Sequence, residues 1–219
     1  GGVATSNPSA GQDTVWGAST DGIDLYVVGR DVALGNDQWR IEKRNLNTGA
    51  LVTLFGTNGV VQSNPSAGSD IARAIAVNGA ALFIVGEDQA FGSDQWRIEK
   101  RNPVNGAVFS NFGIGGAATS DPSAGADFVF GITIDSASMY LAGVDVTSGN
   151  MAWRIEKRNL SDGLLDGTFG TGGVVTSDAS ANHDQAFGIG ADTSYLYIAG
   201  YDDAPGLNLA QWRMEKRAK

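Results

Sequence analysis

Apolar and polar positions along this chain alternate in short runs between Gly-, Pro-, Asn- and Asp-containing turns, and no window carries apolar residues at helical spacing over three turns. Val3 to Ser6 reads as extended, and Asn7-Pro8-Ser9-Ala10-Gly11 as a turn in which Pro fixes φ and Gly admits positive φ. Val15 to Thr20 reads as a second strand, Leu25 to Gly29 as a third after the Asp21-Gly22 turn, and Trp39 to Asn45 as a fourth. In the last of these, Trp39, Ile41 and Lys43 fall on one face and Arg40, Glu42 and Arg44 on the other, a row that can pair with itself or with an Asp on a neighbouring sheet. Leu25-Tyr26-Val27-Val28 is apolar on both faces, as suits a strand sandwiched between layers. The pattern predicts an all-β chain.

That pattern is written four times. Trp39, Trp96, Trp153 and Trp212 each open a Trp-Arg-x-Glu-Lys-Arg segment, at spacings of 57, 57 and 59 residues. Gly29, Gly86, Gly143 and Gly200 keep the same interval, as do Asp13, Asp70, Asp127 and Asp184. A period of this length marks stacked or radially arranged supersecondary units. About four short antiparallel strands per unit predict a β-propeller of four blades in one repeat domain, 1–219, with repeats 1–57, 58–114, 115–171 and 172–219. The Val3 strand is expected to complete the last blade and so close the ring, which removes two unpaired edges at once.

Composition narrows the partners. The net charge is −9, yet 12 of the 15 Lys and Arg residues lie inside the four Trp-Arg-x-Glu-Lys-Arg segments. A phosphate backbone needs clustered, exposed cations, so nucleic acid and anionic membrane surfaces are poor partners. The chain has no cysteine, which excludes disulfides and thiolate metal sites, and no apolar run near the roughly 20 residues that span a bilayer. Gly1-Gly2-Val3-Ala4-Thr5-Ser6 starts in mid-pattern, which reads as a processed piece of a secreted precursor.

Leu164-Leu165-Asp166-Gly167-Thr168-Phe169-Gly170, followed by Gly173-Val174-Val175, resembles the hallmark turn of the delta-60 repeat family. The Leu-Tyr-Val-Val-Gly and Trp-Arg-x-Glu-Lys-Arg strands are similar to that family too, and to kelch-type blades. The Phe-Gly turn is kept best at 165–173 and degenerates at 51–56 and 108–113. The resemblance implies a propeller of bacterial or archaeal extracellular proteins, with no catalytic motif to carry over.

Candidate residues divide by whether they repeat. Trp39, Trp96, Trp153 and Trp212, with Arg40, Arg97, Arg154, Arg213 and Glu42, Glu99, Glu156, Glu215, read as packing between blades, with Arg and Glu paired between sheets. The sharper alternative is a repeated ligand platform of aromatic faces and guanidinium forks. Asp13, Asp70, Asp127 and Asp184 would either converge on the channel mouth and hold Ca²⁺ or bond backbone amides within their own turns. Ser9, Ser66, Ser123 and Ser180 lie in turns whose chemistry predicts exposed hydroxyls that accept O-glycans, or plain turn formers. Asn159-Leu160-Ser161 is the one N-glycosylation sequon. The lone His183 reads as an incidental loop residue, and no Ser stands on a nucleophile turn.

The function expected is a non-catalytic structural or assembly module, extracellular or at a cell surface and capable of forming filaments. Its partner would be another copy joined by strand exchange, or a surface protein or glycan. The alternatives are a lectin-like propeller that binds carbohydrate or protein and, behind it, a carbohydrate-active enzyme at the channel mouth. No cofactor is required beyond the Ca²⁺ just weighed.

Overall fold

A computed structural model describes residues 2–206 and 209–219, all of them strand, turn or coil with no helix. Four antiparallel sheets follow one another along the chain. Sheet 1 holds β1 (Thr14–Thr20), β2 (Asp24–Asp31), β3 (Gln38–Asn45) and β4 (Val60–Ser63). Sheet 2 holds β5 (Ile71–Val77), β6 (Leu82–Asp88), β7 (Gln95–Arg101) and β8 (Ala117–Ser120). Sheet 3 holds β9 (Phe128–Ile134), β10 (Ser138–Asp145), β11 (Ala152–Asn159) and β12 (Val174–Ser177). Sheet 4 has three strands, β13 (Gln185–Ala191), β14 (Tyr195–Asp202) and β15 (Gln211–Ala218).

Each sheet is a meander, and in sheets 1 to 3 the outer strand comes from the start of the following sequence repeat. Val60 to Ser63 pair with Glu42 to Trp39, and the same register recurs at Glu99–Trp96 and Glu156–Trp153. A β-bulge interrupts every inner strand, skipping Trp16, Arg73, Phe130 and Phe187. Opposite the bulges stand Gly29, Gly86, Gly143 and Gly200. A Cβ at any of them would run into a carbonyl oxygen of the bulged strand, so the repeated glycine is a steric requirement. The Phe-Gly turns need glycine as well. Gly56, Gly113 and Gly170 all have φ near 54°, with the preceding Phe buried.

The sheets pack face on face in chain order, with β5 on β1, β9 on β5 and β13 on β9. One set of positions builds each joint. Tyr26, Val28, Trp39 and Ile41 meet Ala72, Ile75, Leu82 and Ile84. Phe83, Val85, Trp96 and Ile98 meet Val129, Met139 and Leu141, with Ile132 at the margin. Tyr140, Ala142, Trp153 and Ile155 meet Ala186, Leu196 and Ile198, with Ile189 at the margin. Trp39, Trp96 and Trp153 are completely buried. Burying an indole removes up to about 250 Å² from water, worth roughly 5 kcal/mol as an upper bound at about 25 cal/mol/Å².

Two expectations fail at the ends of the stack. Residues 2–13 form no strand, so Val3 to Ser6 does not complete sheet 4, and β13 is not packed on β1 among the described residues. Trp212, expected in the core, is 91% exposed. The cause is the same for both. An indole in this strand is buried by the next sheet, and among the described residues nothing covers the Trp212 face of sheet 4.

Candidate functional site

The joint between sheets is the feature most fully built from repeated residues. Each buried indole donates to a carbonyl of the next sheet: Trp39 Nε1 to Glu87 O at 3.0 Å, Trp96 to Val144 O at 3.2 Å and Trp153 to Tyr201 O at 3.0 Å. This satisfies the polar end of a buried aromatic. The next sheet also lays a guanidinium over the ring, Arg154 at 5.8 Å from the Trp96 centroid and Arg213 at 4.5 Å from that of Trp153. Lys43 Nζ reaches Pro103 O at 2.9 Å and Lys100 Nζ reaches Leu160 O at 2.7 Å, which fastens the far end of the joint.

The Arg-Glu-Arg row lies on the opposite face and pairs with itself, one of the two arrangements its spacing allows, and not between sheets. The ion pairs stay within each sheet, along the strand and from Arg40, Arg97 and Arg154 to Asp31, Asp88 and Asp145 of the adjacent strand. Glu156 accepts from Arg154 Nε and Arg158 Nε, both at 2.7 Å, and Glu42 accepts from Arg40 at 2.7 Å and Arg44 at 2.8 Å. Glu99 and Glu215 are held in the same way by Arg97 and Arg101, and by Arg213 and Arg217. What crosses the joint is a hydroxyl: Ser63 donates to Glu99 at 2.7 Å, Ser120 to Glu156 at 2.7 Å and Ser177 to Glu215 at 2.9 Å. Burial pushes Glu99 and Glu156 up, but the flanking guanidiniums outweigh it and hold both below the ordinary glutamate value. The arginines that stood out in the sequence are therefore part of the stack, each beside a carboxylate.

The repeated aspartates do not converge. Each clasps its own turn. Ser9 Oγ donates to Asp13 at 2.6 Å, Ser66 to Asp70 at 2.6 Å, Ser123 to Asp127 at 3.0 Å and Ser180 to Asp184 at 2.8 Å. Burial raises the Asp70 and Asp127 carboxyls against the pull of these hydrogen bonds. No cluster of three or more His, Asp or Glu residues suited to a metal occurs among the described residues. The four serines are half-buried and bonded, not the free hydroxyls their turn chemistry suggested. Asn159 closes β11, half-buried, with Leu160 of its sequon buried behind it. His183 is exposed in the loop before β13.

A second cluster has no counterpart in the sequence reading. The four bulge residues, Trp16, Arg73, Phe130 and Phe187, form a ribbon running across the inner strands. The Arg73 guanidinium lies 4.5 Å from the Trp16 ring and 5.8 Å from that of Phe130. Phe130 meets Phe187 at 5.2 Å, and Phe187 meets Tyr201 at 5.8 Å. Arg73 also pairs with Glu87 at 2.5 Å, and burial pushes that carboxyl up to about 7 in spite of the pair. Trp16 and Phe187 remain about half exposed. The available signal was a repeated inner-strand position that is large in all four units but changes its chemical class.

No family model and no curated protein matches this chain in sequence.

Proposed function

We propose that the chain is a non-catalytic structural repeat module that works in assembly outside the cell or at its surface. Its sheets serve as blades set around an axis in a propeller-type arc. The observation that carries this reading is the threefold recurrence of one joint, down to the indole hydrogen bond and the crossing serine. Repetition of that kind favours a mechanical role, since a ligand site rarely needs several identical copies. The succession of inner strands β1, β5, β9 and β13, each packed on the last, supports an arrangement about an axis. The repeated acidic side chains are engaged by neighbouring Ser and Arg residues, which leaves no free pair for acid–base work. The extracellular placement and the blade assignment rest on the resemblance to delta-60 repeats.

Electron microscopy and light scattering of purified protein test this directly. Multi-copy assemblies are expected at high concentration. A purely monomeric population, or turnover above background in a screen of glycoside hydrolase and lyase substrates, overturns it.

A second reading has one specific observation in its favour, the half-exposed ribbon of Trp16, Arg73, Phe130 and Phe187. Aromatic faces beside a guanidinium suit a sugar ring or an anionic glycan. It predicts glycan-array signals that disappear in Trp16→Ala. Trp39, Trp96 and Trp153 offer no such platform, because they are sealed inside joints.

A further inference from the structure

The two ends of the stack present the two halves of a joint. Sheet 4 exposes Tyr197, Ala199, Trp212 and Met214, which occupy the places of Tyr140, Ala142, Trp153 and Ile155. Sheet 1 leaves the receiving positions uncovered: Val15 and Ala18 are exposed, and Leu25 and Val27 half-buried, where Ala186, Ile189, Leu196 and Ile198 stand in sheet 4. A cavity lined by Ser6, Val15, Val27, Gly29, Arg40 and Glu42 opens on this face. Each lining residue has a counterpart at the inner joints. Gly29 matches Gly143, whose Cα faces the Trp96 ring, and Arg40 matches Arg154 and Arg213, which cover indoles. The cavity thus repeats part of the lining that surrounds the indoles of the inner joints.

The N-terminal segment supplies a second, independent match. Ser6 Oγ donates to Glu42 at 2.8 Å, the bond that Ser63, Ser120 and Ser177 make from the outer strand of a preceding sheet. Ala4 lies against Gly49 as Val61 lies against Gly106 and Ala118 against Gly163. Residues 3–6 thus already sit where the outer strand of a preceding sheet would run, with no such sheet among the described residues. The outer edge of β15 meanwhile has no strand beside it among the described residues.

We infer that a second copy of this chain docks head to tail on the first. Trp212 of one copy enters the Gly29–Arg40 socket of the other, and Val3 to Ser6 of the second copy adds to β15 of the first as the missing fourth strand. This deepens the assembly reading and rests on it. A second copy fits better than closure within one chain. The three inner joints bury the same positions, and β13 is not packed on β1 among the described residues, so self-closure would have to change the joints already made, whereas a second copy continues the same step. The contact is heterologous, giving a ring if the rotation closes and a filament if it does not. Strand addition supplies backbone hydrogen bonds, and the indole supplies a buried anchor. By the inner register, Trp212 Nε1 would donate to Arg30 O, and Lys216 to Leu46 O, of the second copy.

The test uses the absence of cysteine from the chain. Ala4→Cys and Met214→Cys proteins, mixed under oxidising conditions, should give a disulfide-linked heterodimer, because these positions correspond to the paired Val61 and Ile41. The double variant should give a ladder of covalent oligomers. Trp212→Ala should keep the far-ultraviolet spectrum of the monomer and weaken association, measured by sedimentation, at least about thirtyfold. A double variant that only circularises, or a mixture in which like pairs link as readily as unlike ones, overturns the inference. Wild-type assembly that persists undiminished in Trp212→Ala removes this joint and leaves the assembly reading standing. A wild-type protein that is monomeric at every concentration removes both.

Discussion

Trp153 and Trp212 hold the same place in the repeat, in segments that differ by Ile155 against Met214, yet one is sealed and the other lies almost wholly in water. Both strands pair with their neighbour in the same register, Trp153 opposite Val144 and Trp212 opposite Tyr201. Local sequence therefore fixes the strand and the direction of the side chain. Burial is fixed by the next sheet. An indole of this kind is half of an interface, and its worth depends on whether the other half is present.

The widest gap between the two ends should appear on truncation. Trp153→Ala should lower stability by about 3–5 kcal/mol, through lost burial and a residual cavity, while Trp212→Ala should stay within about 0.5 kcal/mol in dilute monomer. Urea denaturation followed by far-ultraviolet circular dichroism makes the measurement. Equal losses would mean that Trp212 is covered in the monomer. The carboxylates behind the indoles sharpen the same contrast. Glu156→Gln leaves Arg158 without its charge partner and Arg154 with Asp145 alone, in a buried row, and should cost about 3 kcal/mol. Glu215→Gln, in the half-open sheet, should cost about 1 kcal/mol.

Glycine at the bulge should break the contrast. Its clash is with a strand of its own sheet, so Gly143→Ala and Gly200→Ala should each cost about 1–3 kcal/mol regardless of what covers the sheet. A markedly milder effect at Gly200 would show that the neighbouring sheet, and with it the Trp96 ring beside Gly143, sets the requirement.

The smallest effects concern pH. Glu99 and Glu156 are held below the ordinary value, so their contribution is complete above about pH 4.5 and is lost as pH falls through their folded values. Glu87 has the opposite sign. Its folded value, raised from 4.5 to about 7, gives stability present below pH 4.5 and lost as pH rises through 7. Glu87→Gln should flatten the slope of stability between those limits, and Glu156→Gln the slope below them, in melts recorded across pH. An unchanged slope in either variant would remove its carboxylate from the titration.

The repeat, the alternation of the Trp strand and the Phe-Gly turns were legible in the sequence because they depend on spacing and on intrinsic backbone preferences. Trp39, Ile41 and Lys43 do share one face. The bulge ribbon was not legible. The extra residue at Trp16, Arg73, Phe130 and Phe187 reverses the two-residue alternation locally, and nothing in composition signals that reversal. The exposure of Trp212 was hidden for a different reason. Four copies of a motif say that four sheets form, but the angle between sheets comes from packing geometry, and that angle decides whether the fourth meets the first. The aspartates looked alike as ring-forming or turn-forming groups until the serine four residues upstream was seen to point back at each of them.

The borrowing of each outer strand from the following repeat has a consequence for dissecting the molecule. Cutting at residues 57, 114 and 171, where the written period suggests, would strip Val60–Ser63, Ala117–Ser120 and Val174–Ser177 from the sheets they finish. Fragments 14–70, 71–127 and 128–184 instead carry whole sheets together with the loop that leads into the next. Cloning boundaries, permutation sites and fusion points belong in those loops, half a dozen residues downstream of the outer strand, out of phase with the text of the repeat.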